Sequence, residues 1–292
     1  MTSQHVASVG VGLAEGGAWP PMLWIGGAQG AGKSTLAWAL ARAYDLPLHP
    51  VDMWAYDHAG RMPARESLDD ELARGPEAAA DAFEAASRVR LGLVVADIVA
   101  RGLGEVPALV EGPQLSPALA GPLPAGYGVW LVPDPERTRL ARQQRLAKEE
   151  ALAGGPAAGR SRTEGLLHRD AALAARIRRD AVRSGRPVIE VPAVPDWPAI
   201  TAHIQSALGA ALRSSPRLGP GPALSQQRRL ENAAAVRQGR LWMDRAGLAA
   251  APAYPFGCEC GRSRCRATWL AMPDDYETRA AVGPLVTHGE DR

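Results

Sequence analysis

Residues 27–34, which read Gly-Ala-Gln-Gly-Ala-Gly-Lys-Ser, place the strongest constraint on how this chain can fold. They match the pattern G-x-x-x-x-G-K-[ST] and lie between an apolar segment and a segment with helical character. Glycines let backbone N–H groups turn inward around an anion, and a helix that begins there points its positive end at that anion. The pattern therefore predicts a strand, a phosphate-binding loop and a helix in immediate succession.

In such a loop the lysine reaches the β- and γ-phosphates of a nucleotide, and the next hydroxyl binds Mg²⁺. An incidental lysine in a glycine-rich turn is the alternative, but Lys33 and Lys148 are the only lysines in the chain. We therefore predict that ATP and Mg²⁺ bind here, with Ser34 as a magnesium ligand. The predicted nucleotide-binding residues are Gly27, Gly30, Ala31, Gly32, Lys33, Ser34 and Thr35.

Apolar segments alternate with helical segments along the first two thirds of the chain. Predicted strands cover 22–26, 46–52, 107–112, 128–132 and 187–191, and helical segments cover 33–44, 63–101, 135–151, a stretch ending near 184, and 196–212. This alternation is typical of an α/β fold with a five-stranded, mostly parallel sheet covered by helices on both faces.

Composition divides the chain into four parts. Residues 1–20 are predicted to be a flexible tail, 21–212 an NTP-binding domain, 213–222 a Pro/Gly/Ser linker, and 223–292 a small cysteine-bearing module that is first helical and then irregular. The formal net charge of +2 gives no field that would indicate nucleic acid or membrane as the main partner. Neither a signal peptide nor a long apolar run is evident, so a cytoplasmic location is expected.

Residues 22 to about 212 resemble the P-loop small-molecule kinases, the group that contains shikimate kinase, gluconate kinase and chloramphenicol phosphotransferase. The stretch GGAQGAGKSTLA, an aspartate that ends the second strand, a helical region and an arginine-bearing segment after the fourth strand carry the resemblance. Nucleoside-monophosphate kinases share this order of elements. The resemblance implies a P-loop kinase fold that transfers the γ-phosphate of ATP to a hydroxyl of a small molecule.

Two acidic residues end neighbouring predicted strands, at the sheet edge where the phosphate loop lies. Asp52 is predicted to contact the acceptor hydroxyl and to take its proton, as the resemblance implies, and a cap of the following helix is the less favoured alternative. Glu111 is predicted to position Mg²⁺ or its water, with a structural turn residue as the alternative.

Polar and aromatic residues follow Asp52 and could line an acceptor pocket. They are Trp54, Tyr56, Asp57, His58 and Arg61, of which Tyr56, His58 and Arg61 are the predicted substrate-binding residues.

A lid arginine can neutralise charge on a transferring phosphate. The candidates are Arg137, Arg139, Arg142 and Arg145, of which Arg142 and Arg145 are predicted first to contact phosphate. The alternative is that all four form a solvated face of the helix. The ARIRRD run in the next helix is expected to face solvent.

Three cysteines fall within eight residues near the C-terminus. Cys258, Cys260, Cys265 and His288 are predicted to form a Cys3His zinc site, in which Asp274, Asp275 or a solvent molecule could replace the histidine. Reduced structural thiols, or a redox pair with a spare thiol, are the alternatives. The run FGCECGRSRCRATWLAMPDDYE resembles small C-terminal modules of actinobacterial proteins, a likeness that implies a metal-binding fold and no particular activity.

Three functions fit these observations. The first is the small-molecule kinase. The second is a P-loop ATPase whose nucleotide state controls how the cysteine module meets a protein partner, with Gln114 orienting a water. The third is a polynucleotide-end kinase, which is the least favoured because no basic stripe with interleaved aromatics is present.

Overall fold

The computed structural model describes residues 19–153, 159–247 and 251–288. Most of the predicted flexible tail, residues 1–18, lies outside the described residues. Its last two residues belong to the folded domain, because the ring of Trp19 stacks on that of Trp24 with their centroids 5.5 Å apart.

Five parallel strands form the central sheet. They are β1 (Met22–Gly27), β2 (Leu48–Pro50), β3 (Ala108–Glu111), β4 (Gly128–Pro133) and β5 (Val188–Val191). Their order is β2-β3-β1-β4-β5, and every neighbouring pair is parallel. This architecture, with a phosphate loop directly after β1, confirms the predicted α/β class. Glu111 pairs in register with Pro50 on one side and Ile25 on the other, so the ends of three strands meet at one edge.

Ten helices accompany the strands in the described parts of the chain. They are α1 (Lys33–Ala43), α2 (Ala55–Arg61), α3 (Leu68–Ala73), α4 (Pro76–Ala100), α5 (Pro135–Ala153), α6 (Gly159–Arg183), α7 (Trp197–Ala207), α8 (Gly209–Ser214), α9 (Pro222–Ala246) and α10 (Pro273–Ala280). None of the described helices is long and apolar enough to cross a membrane.

Helices cover both faces of the sheet, as predicted. Successive side chains of a strand point to opposite faces, and in β1 both faces are apolar. Leu23 and Ile25 pack with α1, α7 and α8, whereas Met22 and Trp24 pack with α4 and α6. All four side chains are almost completely buried. A strand that is apolar on both faces is typical of a parallel sheet enclosed between two helical layers, and this enclosure fixes the position of the loop that follows β1.

The C-terminal segment consists of α9, an antiparallel hairpin and α10. The hairpin strands are β6 (Tyr254–Gly257) and β7 (Thr268–Ala271). A small core around Phe256 and Tyr276, whose rings stack at 4.3 Å, holds the segment together. The segment packs against the sheet domain, because Glu231 of α9 accepts a hydrogen bond of 3.0 Å from the backbone N–H of Leu48. The predicted linker corresponds to the stretch between Ser214 and Pro222.

Two predicted elements are shorter than expected. The second strand ends at Pro50, and residues Val51–Trp54 form a 3-10 turn instead of continuing the strand. The predicted helical segment 63–101 is broken into α3 and α4 at Gly75, whose φ of 95° is unfavourable for other residues. Ser67 caps α3 by accepting a hydrogen bond from the N–H of Asp70, and Pro76 begins α4.

Two further predictions need correction. The last helix of the sheet domain is interrupted at Leu208, so α7 and α8 replace one continuous helix. The ARIRRD run of α6 does not simply face solvent: Ile177 is buried in the core, and Arg176 binds three acidic residues of α4. Those partners are Glu77, Asp81 and Glu84. Arg176 and Ile177 of the run thus face α4 and the core, and spacing within α6 alone did not reveal these partners.

Candidate functional site

The loop after β1 has the backbone conformation that its glycines predict. Gly27 has a φ of 120°, and a β-carbon built there would lie 2.0 Å from the carbonyl oxygen of Leu131, so no side chain fits. The N–H of Ala28 donates to the same carbonyl oxygen at 2.9 Å, which ties the loop to β4. Gly32 precedes α1 with a left-handed φ of 78°. The loop therefore presents the N-terminus of α1 to its concave side.

Lys33 begins α1 and is buried beneath the loop. Its Nζ donates a 2.7 Å hydrogen bond to the carbonyl oxygen of Ala28. Burial lowers the pKa of Lys33, while the carboxylates of Glu111 and Asp52 act in the opposite direction. The ammonium and both carboxylates are thus close enough for their charges to interact, which is the grouping that the strand ends predicted.

A pocket of about 360 Å³ opens over the loop. It is lined by Gln29, Gly30, Gly32, Lys33, Ser34, Thr35, Asp52, Glu111, Arg137, Ala141, Gln144, Arg145 and Lys148. Ser34 and Thr35 are exposed to it, whereas Ala31, another predicted nucleotide-binding residue, is buried behind the loop. The pocket is predominantly polar and cationic, with two carboxylates at its base.

Glu111 is a buried carboxylate at the base of the pocket, with only 2 % of its surface exposed. Burial raises the pKa of Glu111 to about 7, and the charge of Asp52 raises it as well. Lys33 and a hydrogen bond with the Ser34 hydroxyl lower the pKa. Two carboxylates and a hydroxyl supply the oxygen ligands that Mg²⁺ prefers. A divalent cation here would offset the repulsion between the carboxylates, so these residues fit the predicted ion.

Asp52 lies in the 3-10 turn after β2, and its carboxylate is not used as a helix cap. The turn is preceded by Pro50, and α2 begins without a side-chain cap. Instead, Asp52 Oδ1 accepts a 2.9 Å hydrogen bond from Nε2 of the buried Gln114. Arg90 of α4 also lies close enough for its charge to interact with Asp52. Asp52 is therefore held at the pocket by groups from two other elements.

The predicted substrate-binding residues after Asp52 do not line this pocket. His58 is completely buried and hydrogen-bonds Asp97 at 2.8 Å, and Arg61 donates to the same carboxylate at 2.9 Å. The ring of Tyr56 lies under the guanidinium of Arg245, 4.8 Å away. The expected placement differs from the structure because α2 turns these side chains toward α4 and α9.

Trp54 and Asp57, from the same predicted cluster, also contact α9. Arg237 of α9 lies 4.2 Å from the ring centroid of Trp54 and 4.0 Å from the carboxylate of Asp57. On its other side Trp54 stacks on His49, with centroids 5.4 Å apart. The segment that carries Asp52 is consequently packed between the sheet domain and the C-terminal segment, an arrangement that the sequence did not indicate.

The four candidate lid arginines of α5 separate into two pairs. Arg137 and Arg145 line the pocket, and Arg145 donates a 3.1 Å hydrogen bond to the side chain of Gln29. Arg142 does not line it, because its guanidinium donates to the buried Asp170 of α6 at 2.6 and 2.8 Å. Arg139 binds Glu136 at the surface.

Pocket residues that the sequence analysis did not select include Gln29, Gln144 and Lys148. Gln144 and Lys148 could have been found from spacing. They lie on the same face of α5 as Ala141 and Arg145, because these positions are three or four residues apart. Lysine rarity is a second signal for Lys148.

Trp197, the first residue of α7, packs on the phosphate loop. A β-carbon built on Gly32 would lie 2.5 Å from its ring. The guanidinium of Arg137 lies 4.7 Å from the centroid of the same ring. Trp197 is 36 % exposed to solvent. A flat, partly exposed aromatic group beside a cation therefore adjoins the phosphate-binding loop. No spacing pattern indicates this pair, because its two residues lie 60 positions apart in the chain.

The three cysteines and His288 come together in the C-terminal segment, with their potential ligand atoms all within 4.8 Å of one another. His288 Nδ1 lies 3.4 Å from Cys258 Sγ and 3.8 Å from Cys265 Sγ. This cluster could hold a metal ion such as zinc. Asp274, an alternative fourth ligand in the sequence analysis, instead lies 3.5 Å from Arg240 on the surface.

Neither a protein-family model nor a curated protein matches the sequence. Among solved structures, the chain is similar to the crystal structure of a sulfotransferase from Alicyclobacillus acidocaldarius. The alignment has 16 % sequence identity and a TM-score of 0.39, and it covers 78 % of this chain and 96 % of the other. A likeness of this size carries no inference about substrate or activity.

Proposed function

We propose that this protein is an ATP-dependent phosphotransferase that moves the γ-phosphate to a hydroxyl of a small molecule. One observation carries the proposal: Lys33, Asp52 and Glu111 meet in a single pocket over a glycine-rich loop at the N-terminus of α1. Phosphoryl transfer needs a donor-phosphate cradle, neutralising charge and a group that accepts the proton of the attacking hydroxyl. The three residues match these needs.

In the proposed reaction, the loop N–H groups and Lys33 bind the β- and γ-phosphates. The acceptor oxygen forms a bond to the γ-phosphorus, the bond from that phosphorus to the bridging oxygen of ADP breaks, and the acceptor proton passes to Asp52. Gln114 positions the Asp52 carboxylate through its 2.9 Å hydrogen bond. Arg145 supplies positive charge from the opposite wall of the pocket.

Ser34 and Glu111 are the residues that would hold Mg²⁺, with Asp52 nearby. The bound ion would supply charge neutralisation on the phosphate oxygens. Glu111 is too deeply buried to contact a large acceptor, which agrees with a role in the ion's shell. Glu111 and Ser34 both line the pocket, and the Ser34 side chain is close enough to lower the pKa of Glu111.

Trp197 and Arg137 are the candidates for the nucleotide base. The ring of Trp197 is partly exposed beside Gly32, and the Arg137 guanidinium lies over this ring, 4.7 Å from its centroid. Aromatic and guanidinium planes bind bases by stacking without requiring a particular hydrogen-bond pattern. Asp52, which lines the pocket and makes no contact with the Trp197 and Arg137 pair among the described interactions, is then available for the acceptor.

The test of the proposal is nucleotide binding and transfer by Lys33→Ala. We expect the variant to keep its fold by circular dichroism and to lose ATP binding, measured by calorimetry with Mg²⁺ present, because the phosphates lose their buried cation. Arg139→Ala is the matched control, since Arg139 is a cation of the same region that binds Glu136 at the surface. Unchanged nucleotide affinity in Lys33→Ala would refute the proposal.

We further propose that zinc occupies the Cys3His cluster and stabilises the C-terminal segment. Three thiols and an imidazole are the ligand set of closed, tetrahedral structural zinc sites. The imidazole Nδ1 of His288 faces two of the thiols, 3.4 Å from Cys258 Sγ and 3.8 Å from Cys265 Sγ. A small segment with few apolar residues gains folding free energy from such an ion.

An ATPase that regulates a protein partner is the second candidate. The observation in its favour is the contact of Gln114 with Asp52, since an amide and a carboxylate can together orient an attacking water. The C-terminal segment, which contacts the Asp52 turn through α9, would then report the nucleotide state to the partner. ATP turnover that proceeds at the same rate with and without any hydroxyl acceptor would favour this candidate over the kinase.

A further inference from the structure

Lys148 shares its pocket with Lys33, and these are the only lysines among 33 lysine and arginine residues in the sequence. They are 115 positions apart in the chain, one at the start of α1 and the other in α5. Lys33 is buried beneath the phosphate loop, whereas Lys148 is exposed on the opposite wall. The fold thus brings the chain's two ammonium groups to one cavity.

The face of α5 that carries Lys148 is directed at the phosphate loop. A β-carbon built on Gly30 would lie 3.1 Å from that of Ala141, so the helix contacts the loop at this point. One turn further along, Arg145 donates to the side chain of Gln29 at 3.1 Å. Lys148 follows Arg145 by three residues, which places it on the same face at the next turn. Lys148 accordingly lines the pocket together with Arg145 and Ala141.

Lysine and arginine are not equivalent at a phosphate. An ammonium is a compact point charge on a flexible stem, and it can approach one phosphate oxygen from many directions. A guanidinium is planar and prefers two parallel hydrogen bonds. This chain uses arginine at nearly every basic position, including Arg145 in the same pocket. Lysine at position 148 therefore points to a requirement for the ammonium itself.

We propose that Lys148 is a second phosphate-binding lysine, which contacts the γ-phosphate from the α5 side while Lys33 contacts it from the loop side. This inference rests on the proposed function and adds to it a residue that recognises the transferred group. The two lysines hold the γ-phosphate between them, and ADP, which lacks that group, loses the contact with Lys148. Lys148 therefore distinguishes ATP from ADP.

The first experiment measures the affinities of ADP and of a non-hydrolysable ATP analogue for the full chain by calorimetry. Lys148→Ala is expected to weaken binding of the ATP analogue about 10-fold, because one charge-assisted hydrogen bond is lost, and to leave ADP affinity within about 2-fold. Arg139→Ala, the control on the same helix, should change neither affinity. Lys148→Arg should recover only part of the preference for the ATP analogue.

The second experiment needs no substitution and uses the scarcity of lysine. The amines that a reagent such as acetic anhydride can acylate are the N-terminus, Lys33 and Lys148, and peptide mass spectrometry separates these sites from any acylated tyrosine or cysteine. Lys148 should react readily in the free protein because it is exposed. The ATP analogue with Mg²⁺ should protect it strongly, and ADP with Mg²⁺ should protect it much less.

The outcomes separate the two proposals. If ATP binds in a Lys33-dependent manner but Lys148→Ala keeps the preference for the ATP analogue and Lys148 stays equally reactive, the role of Lys148 is overturned and the proposed function stands. If neither nucleotide binds, both proposals are overturned. Full recovery of the preference by Lys148→Arg would overturn the requirement for an ammonium. Loss of the preference together with selective protection supports the inference.

Discussion

Glu231 of α9 lies 3.2 Å from Arg42 of α1. Both side chains are nearly buried: that of Glu231 is 9 % exposed and that of Arg42 is 3 % exposed. Arg228 joins them, at 2.9 Å from Glu231 and 3.1 Å from the carbonyl oxygen of Ala41. The helix that begins with Lys33 therefore ends against a buried ion cluster supplied partly by the C-terminal segment. This cluster connects the C-terminal segment to the C-terminal end of α1.

Replacing Glu231 with Gln should be strongly destabilising. The substitution leaves two buried guanidinium groups without their countercharge, and we expect a loss of about 3 to 5 kcal/mol in the free energy of unfolding. Urea denaturation followed by circular dichroism measures the change. Glu190→Gln is the control, because the exposed pair of Glu190 with Arg178 should contribute less than about 1 kcal/mol. Equal effects of the two substitutions would contradict the importance of the cluster.

The difference in stability between wild type and Glu231→Gln should also depend on pH. Burial alone would raise the pKa of Glu231, but Arg228 and Arg42 lower it below its ordinary value. A carboxyl group whose pKa is lower in the folded state stabilises the protein above its unfolded pKa and loses that contribution as the pH falls through the folded pKa. The stability difference should therefore be full at neutral pH and shrink under strongly acidic conditions. A constant difference across that range would exclude this linkage.

Asp52→Asn should abolish phosphoryl transfer while ATP affinity changes little. The amide keeps the shape of the side chain and can still contact Gln114, but it cannot accept the acceptor's proton. Calorimetry with the ATP analogue and a transfer assay measure the two properties separately. Asp57→Asn, a change in the same segment that lies against Arg61 and Arg237, is the control. Transfer that survives in Asp52→Asn would show that another group takes the proton.

Trp197→Ala should weaken ADP and ATP binding to a similar extent, by about 10-fold, because base stacking contributes about 1 to 3 kcal/mol. This result would differ from that of Lys148→Ala, which acts on the γ-phosphate and so on ATP alone. Val194→Ala removes a side chain that is 89 % exposed and should leave both affinities unchanged. If Trp197→Ala binds both nucleotides as wild type does, the base lies elsewhere.

Elemental analysis of the purified protein should find about one zinc ion per chain, since one four-ligand cluster binds one ion. Cys265→Ser should lose most of the metal and lower the melting temperature, whereas Asp274→Asn should retain it. The aspartate is 90 % exposed and lies against Arg240, away from the thiols. A metal-free protein of unchanged stability would leave the reduced thiols or a redox pair as the interpretation of the cluster.

The phosphate loop and the sheet could be predicted because their requirements are local. Gly27 and Gly32 are needed for the positive φ angles of the loop itself, and the strand before them is apolar on both faces. Parallel strands bring their carboxyl ends to one edge, so Asp52 and Glu111 were expected near Lys33, and their charges do interact with it. The cysteine cluster was also visible, because three of its members lie within eight residues.

The acceptor side could not be predicted in the same way, because its side chains are directed by partners far along the chain. Arg142 and Arg145 are three residues apart, yet Arg142 binds the buried Asp170 of another helix while Arg145 reaches Gln29 at the pocket. His58 is similarly directed away from the pocket by Asp97. A helix shows which residues share a face, but it does not show what will pack against that face.

The glycine-rich loop, the α/β class and the grouping of the cysteines can be read from the sequence, since each depends on residues adjacent in the chain or on strand order. Only the folded chain shows which cations line the pocket, that Trp197 packs on Gly32 and that α9 is attached to α1 through Glu231. These features depend on contacts between residues that are far apart in the chain. A buried charged side chain needs a partner, and the fold decides which partners come within hydrogen-bond distance.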